Sequence, residues 1–309
     1  GDVFGLSLGS GGEANFSGGI IHDLSAGSGT SVTITGGEFL LDGQPVVGLN
    51  TPGDSAAVNF SVAEDLVGVL ADGTPFAFAK SNGFFNPASL TLNLVTLPAV
   101  GPATIDLPGD ALPPGIRQGQ TLNLGPGAGI GAGFGETADF VAGPGSTVNL
   151  DGGVIGSLFK AAGATVNLNS GAIGSQADLI DGATLNISGG TVGHSLQVHA
   201  DSVANISCGA IENLTPFLTA LEAFPGATIN VTGGAIGQGI TLRGAEMNVS
   251  GGSIGTRLFA SDSGSSTPAV INVSGGTFEG SVQASIGTEF NLVGTAFLID
   301  GIEIPGLVF

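Results

Sequence analysis

A short motif recurs through the second half of the chain, and this repeat constrains the fold more than any other feature. Residues 147–156 read TVNLDGGVIG, residues 165–174 read TVNLNSGAIG and residues 184–193 read TLNISGGTVG. The asparagine of the motif returns about every 18–19 residues, with longer intervals at two insertions. A fixed period of this length is typical of proteins built from stacked units. The asparagines are Asn149, Asn167, Asn186, Asn205, Asn230, Asn248, Asn272 and Asn291.

Each repeat predicts three short strands separated by sharp corners. The stretch Thr-Val-Asn-Leu alternates polar and apolar residues, which is the period of a strand with one buried face. The Gly-Gly pair that follows accommodates the positive φ of a tight corner. A short apolar pair and a third alternating stretch, such as SLQVH at 195–199, complete the unit. We therefore predict an all-β chain with a three-sided parallel β-helix, whose coils of about 18–19 residues lie about 4.8 Å apart.

The phase of the alternation predicts which side chains fill the interior of this β-helix. If Val and Leu face inward, then Thr and Asn of the same strand face outward. A single coil cannot bury such an apolar column, whereas a stack of coils can. One predicted interior column contains Val148, Val166, Leu185, Ile229, Met247 and Ile271.

These coils resemble those of bacterial extracellular β-solenoids, and more broadly the right-handed, pectin-lyase-like parallel β-helix group. They are most similar to secreted repeat proteins of environmental bacteria. The resemblance is strong over residues 115–293 and weak over residues 1–36. It implies a right-handed β-helix and an extracellular or cell-surface location, but its motif is a poor guide to activity.

The rest of the sequence suggests five segments. Residues 1–36 hold weaker copies of the repeat and predict N-terminal β-coils, whereas residues 121–293 form the main parallel β-helix. Between them lie an all-β module at 37–100 and a proline-rich connector at 101–120. Residues 294–309 form a partial copy of the module, because FLLDGQPVVGL at 39–49 returns as FLIDGIEIPGL at 297–307.

The composition excludes several kinds of partner. The chain has 5 Lys and Arg residues against 25 Asp and Glu residues, which gives a net charge of −20. So few cations cannot form the basic surface that nucleic acids or anionic lipids require. No apolar stretch reaches about 18 residues, so we expect no membrane insertion. The single cysteine excludes an internal disulfide.

The outward asparagine column has two interpretations. Asn amides at coil spacing can form a hydrogen-bonded ladder that fixes the register of the coils, and we favour this structural role. The same column would also form a flat polar face, which could bind an extracellular glycan or a mineral surface.

The charged residues offer weak candidates for catalysis. Glycan-cleaving β-helices cluster carboxylates, or an Arg or Lys beside acids, on one face. Counting from the corners places Lys160 and Asp178 in one column on adjacent coils, and His199 and Arg243 in another. No run resembles the catalytic signatures of pectate lyases or polygalacturonases. We therefore favour surface ion pairs, or no interaction at all, and a chain without enzymatic activity.

The sequence predicts no cofactor. The histidines at positions 22, 194 and 199 and the lone cysteine do not have the spacing of a zinc site. Calcium is the metal that the acidic composition would favour, although neither an Asp-x-Asp loop nor a Gly-Gly-x-Gly-x-Asp repeat is present.

Two insertions and the C-terminal segment bear on partners. Residues 212–225, whose apolar residues follow a helix-like spacing, and residues 261–268 are predicted to leave the rod at the same corner. That corner is either a binding face or one that tolerates extra length. Because an uncapped β-helix end can pair with another chain, we expect head-to-tail docking of subunits. The alternative is that the sequence is part of a longer chain whose remainder caps this end. The docking residues are Phe297, Leu298, Ile299, Leu307 and Phe309.

Together these features predict a non-enzymatic extracellular structural or adhesive β-solenoid. Its expected partners are further copies of itself, assembled head-to-tail into filaments, and extracellular glycans. The alternative is a polysaccharide lyase, a hydrolase or a glycan-binding module on the same scaffold.

Overall fold

The computed structural model is an all-β chain. It describes residues 6–21, 24–26, 29–59, 65–79, 87–131, 138, 140–213, 218–262, 267–294, 298–299 and 302–303. These residues form strands and turns and contain no helix. Consequently, no helix long and apolar enough to cross a membrane is found in this part of the chain.

Parallel strands stacked in one column form the first side of the main β-helix. Each strand pairs with the one before it through the same positions, so that Val148, Val166 and Leu185 are neighbours. All six residues of the predicted interior column are at most 1% exposed, which confirms their inward direction. The strands are Thr104–Leu107, Thr121–Leu124, Thr147–Ile155, Thr165–Ile173, Thr184–Ile187, Val203–Ile206, Thr228–Val231, Glu246–Ile254, Val270–Phe278 and Glu289–Leu292.

Two further columns of parallel strands close each coil. On four coils the nine-residue strand of the first side continues round the corner onto the second side. On other coils the second side has a separate short strand: Gly129–Ile130, Thr191–Val192, Ala210–Ile211 or Ala235–Ile236. The third side is a nine-stranded sheet of Gly115–Ile116, Val141–Ala142, Lys160–Ala162, Asp178–Ile180, Leu196–Val198, Leu221–Ala223, Ile240–Arg243, Leu258–Ser261 and Val282–Ala284. The chain is therefore a parallel β-helix with three strand columns.

The glycine corners are required by the closeness of the coils. Gly171 has a φ of 97°, and a Cβ at this position would overlap the carbonyl oxygen of Gly153 on the preceding coil. The corner thus needs both the left-handed backbone and the missing side chain.

A smaller N-terminal unit repeats the coil arrangement. Glu13–Phe16, Ser31–Leu41 and Ser89–Leu94 run parallel, as do Leu6–Leu8 and Leu24–Ala26. Antiparallel strands extend this unit at Gln44–Pro45, Ser55–Val58, Asp65–Leu70 and Pro75–Ala79. The eleven-residue strand Ser31–Leu41 crosses the boundary that we placed between residues 36 and 37, because its first half is a coil strand and its second half starts the hairpins.

The sequence repeated at 39–49 and 297–307 has the same antiparallel strand pairing in both copies. In the first copy Leu40 pairs with Pro45 and Leu41 pairs with Gln44. Asp42 and Gly43 between them have φ values of 48° and 71°, as a type I′ turn requires. In the second copy Leu298–Ile299 pairs with Ile302–Glu303 in the equivalent register.

The N-terminal unit packs against the outer face of the third side. Val67, Ala77 and Ala79 form one buried cluster with Val141, Ala162 and Ile180 of the main β-helix. Within this cluster, Ala162 and Ile180 point away from the solenoid interior, because their sequence neighbours Ala161 and Leu179 belong to the interior core. Outward apolar residues on the third side therefore hold the two units together.

Three details differ from the sequence-based expectations. The two insertions leave different corners: residues 212–220 follow a second-side strand, whereas residues 262–269 follow a third-side strand. The helix-like segment contains the strand Leu221–Ala223, because its backbone pairs with both neighbouring coils. Finally, Thr104–Leu107 lies within the expected connector, since Thr-Ile-Asp-Leu alternates as the later coils do and pairs with Thr121–Leu124.

Candidate interaction surface

The outward face of the first side carries rows of short polar side chains. In the first row, threonines occupy the same position on five successive coils. The asparagine row lies two residues further along each strand, about 7 Å away, and successive coils are about 4.8 Å apart. The threonines are Thr104, Thr121, Thr147, Thr165 and Thr184.

The asparagines form a continuous hydrogen-bonded ladder. The Nδ2 of Asn167 donates to Oδ1 of Asn149 at 2.9 Å, and every later asparagine of the column donates to the one before it at 2.8–3.0 Å. The ladder extends beyond the predicted column, because Asn149 donates to Asn123 at 2.8 Å and Asn123 donates to Asp106 at 2.7 Å. The TLNL and TIDL stretches at 121–124 and 104–107 signal this extension in the sequence.

A shallow groove of about 300 Å³ follows the ladder near its C-terminal end. The amides of Asn230, Asn248 and Asn272 line its floor, and Ser250 and Val293 contribute to its walls. Asn230 and Asn248 each use one N–H and one acceptor site along the column, so each keeps a second N–H and a second lone pair. The Nδ2 of Asn272 also donates to Oε1 of Glu246 at 3.3 Å. The groove can therefore offer repeated donors and acceptors to a bound molecule.

The central part of this face is almost free of charge. On the described first-side strands from Thr121–Leu124 to Thr228–Val231, Asp151 is the one charged side chain, whereas Glu246 and Glu289 occupy the threonine position on later coils. The Oδ1 of Asp151 accepts a hydrogen bond from Asn169 at 3.0 Å. Such a surface suits a neutral partner that is rich in hydroxyl groups.

The catalytic candidates Lys160 and Asp178 are paired in register on adjacent coils, as counted from the sequence. They lie on the third side beneath the N-terminal unit, where Lys160 Nζ donates to the carbonyl oxygen of Ala77 at 3.2 Å. Asp178 is 6% exposed. A polymeric substrate therefore has little access to this carboxyl.

The second charged column is also built differently from a catalytic pair. Phe224 lies between His199 and Arg243, and its ring stacks on the His199 imidazole with centroids 4.7 Å apart. Arg243 Nε forms an ion pair with Oε1 of Glu222 at 2.6 Å. His199 is 2% exposed, and its burial lowers its pKa to about 3, helped by the charge of Lys160.

The described residues contain no group of three or more His, Cys, Asp or Glu side chains placed to hold a metal ion. His194 Nδ1 lies 3.1 Å from the hydroxyl of Ser195, and His22 lies outside the described residues. Calcium binding has no designated site in the described part of the chain and stays an untested expectation.

Of the predicted assembly residues, the structure describes the backbone of Leu298 and Ile299, which forms the C-terminal hairpin. Phe297, Leu307 and Phe309 lie outside the described residues. Apolar side chains are exposed on the adjoining last coil: Phe290 is 39%, Leu292 44% and Val293 70% exposed.

The fold defines the chain as a parallel β-solenoid protein. It matches no protein family model, no curated protein and no solved structure.

Proposed function

We propose that the chain is a non-enzymatic extracellular or cell-surface β-solenoid, of the right-handed pectin-lyase-like kind, with a structural and adhesive role. The observation that carries the proposal is the row of asparagine amides on the first-side face, which repeats at coil spacing through the groove at Asn248. Neutral extracellular glycans fit this face, because their hydroxyl groups both donate and accept hydrogen bonds. Their repeating units also suit a surface that presents the same groups on successive coils.

A glycan array with neutral and acidic polysaccharides tests the adhesive role. Ser250→Trp should fill the groove and abolish retention of neutral glycans, because Ser250 lines it and is exposed. Thr256→Trp places the same bulk at an exposed corner away from the groove and should leave binding unchanged. Failure of the wild-type chain to retain any glycan, or equal binding by both variants, would rule out this face as the adhesive surface.

The structural role includes head-to-tail assembly. Within the described residues, Glu289–Leu292 pairs with the preceding coil and with no following strand. Its exposed Phe290 and Leu292 and its free edge suit a second copy of the chain, since strand edges template further pairing. One repeated contact of this kind produces a filament when the rotation does not close.

Deletion of residues 296–309 and the substitution Phe290→Asp should each shorten the assemblies seen by electron microscopy and light scattering. Val47→Asp is the matched control, because Val47 is 92% exposed and belongs to the N-terminal unit. A wild-type chain that stays monomeric at high concentration would contradict the assembly.

A polysaccharide lyase or hydrolase is the alternative. The low exposure of Asp178 and the contact of Lys160 with Ala77 support the non-enzymatic proposal instead. Turnover of a polysaccharide that disappears in Asp178→Asn would reverse this choice.

A further inference from the structure

A second candidate site lies where the N-terminal unit meets the first coil of the main β-helix. A cleft of about 560 Å³ opens there, within the range of about 300–1,000 Å³ that is usual for small-ligand sites. The turn at Asp72 forms one wall, and the proline-rich segments around Pro98 and Pro113 form the others. Arg117 and Gln120 of the first coil also line the cleft.

Arg117 is the unusual residue of this cleft. It is 5% exposed, and its Nη2 donates to the carbonyl oxygen of Pro98. Among the described residues, no carboxylate forms an ion pair with its guanidinium. A buried guanidinium without an anion is costly, and its planar set of five donors matches a carboxylate in a bidentate arrangement.

The backbone around Arg117 is held in place by Gln120. The amide oxygen of Gln120 accepts a hydrogen bond from the Arg117 backbone N–H at 3.1 Å, and its Nε2 donates to the carbonyl oxygen of Pro102 at 3.0 Å. Gln120 is itself 5% exposed. The cation is therefore positioned by buried contacts and is not a mobile surface side chain.

Two carboxylates on the walls restrict the ligand further. Asp72 accepts backbone hydrogen bonds from Gly19 at 2.6 Å and Thr74 at 2.9 Å, and Asp110 accepts one from Asp106 at 2.8 Å. Their negative charge disfavours a doubly charged phosphate, but their remaining lone pairs can accept hydrogen bonds from hydroxyl groups. The proline rings offer apolar contact to C–H groups.

We propose that this cleft binds a small polyhydroxy carboxylate. Its carboxylate lies against the Arg117 guanidinium, and its hydroxyl groups donate to Asp72 or Asp110. The cleft shares Thr104 with the first-side face but no residue with the groove at Asn248, so it does not depend on the adhesive role.

Isothermal titration calorimetry with gluconate, sorbitol and inorganic phosphate tests the proposal. Sorbitol is the matched neutral ligand, because it carries a CH₂OH group where gluconate has its carboxylate. We expect binding of gluconate and no heat from sorbitol or phosphate. Arg117→Gln should weaken gluconate binding about thirty-fold or more, as expected for loss of a buried charged partner. Arg257→Gln removes an exposed positive charge elsewhere and should leave binding unchanged.

The comparison of the three ligands on the wild-type chain keeps the test decisive even if the Arg117 variant does not fold. Equal binding of gluconate and sorbitol, or tighter binding of phosphate, overturns the proposal. The absence of gluconate binding overturns it as well, as does full affinity in Arg117→Gln.

Discussion

Asn186 donates from Nδ2 to Oδ1 of Asn167 at 2.9 Å, across the step between two coils. The two residues are also paired in register by the backbone ladder. The side-chain bond and the backbone pairing therefore select the same register. A slip of one residue would break both and would turn Leu185 outward.

Substitution of a central member of the ladder should destabilise the rod. Asn186→Ala leaves Oδ1 of Asn167 and Nδ2 of Asn205 without their partners, so we expect a loss of about 1–3 kcal/mol in the free energy of unfolding. Asn291→Ala is the control, because Asn291 is exposed and ends the ladder; its loss should be under about 0.5 kcal/mol. Urea unfolding measures both values, and equal losses would show that the ladder contributes little.

Alanine substitutions at two glycines should separate the energetic cost of backbone strain from the cost of crowding between coils. Gly171 and Gly182 both have positive φ, but a Cβ meets the coil below at Gly171 and nothing within 4 Å at Gly182. Gly182→Ala should cost about 1–2 kcal/mol, which is the price of the left-handed backbone. Gly171→Ala should cost clearly more and broaden the unfolding transition. Similar thermal stabilities of the two variants would mean that the coils can move apart.

The contact between the first hairpin and the main β-helix should respond to pH. Burial raises the pKa of Asp181 to about 6, and the charges of Asp42 and Asp201 add to the rise. The folded state thus binds the proton more tightly than the unfolded state, so this group stabilises the fold below pH 3.8 and the contribution disappears as pH rises through about 6. Because Asn carries no charge, Asp181→Asn should lack this loss when urea unfolding is measured at several pH values.

A second variant identifies the neighbour that matters. Asp42→Asn keeps the turn residue type that tolerates positive φ but removes one of the facing charges. It should move the loss of stability to lower pH. An unchanged profile in both variants would assign the pH dependence to other groups.

The titration of His199 should change the stability of the fold in the opposite pH direction, with the loss on the acid side. The pKa of His199 is lowered from 6.5 to about 3 by burial and by Lys160, so the native ring is neutral. Its contribution to stability is present above pH 6.5 and is lost as pH falls towards 3. His199→Gln should reduce this acid-side loss. NMR titration of the imidazole checks the assignment, and protonation of the native ring near its ordinary pKa would refute it.

The alternation of residues was sufficient to predict the coils, their interior and the position of the asparagines. Val148 and Leu185 could be placed inside because the glycine corners fix the phase of every strand. The docking of the N-terminal unit was not predictable in this way. Ala162 and Ile180 are apolar at outward positions, which signals a covered surface, but nothing in the repeat identifies what covers it.

The residues of the two candidate sites also differ in whether the repeat predicts them. The ladder follows from identical residues at identical positions in successive repeats. The cleft at Arg117 depends on Pro98 and Asp72, which are distant in sequence and belong to no repeat. The corner at residues 212–220 was misassigned because the short strand Ala210–Ile211 carries too few residues to count from.

The carboxylate at the start of the ladder gives the face a direction. Asp106 can only accept, so Asn123 must present its N–H to it. Each following amide is then forced into the same orientation, which aligns all the amide dipoles along the rod axis. The ladder therefore has a direction: its N–H end meets the Asp106 carboxylate at the first coil, and among the described residues no side chain donates to the carbonyl oxygen at its other end, Asn291. A chain added beyond Asn291 extends this line of dipoles only if it begins with a donor, so the two ends of the rod are chemically distinct.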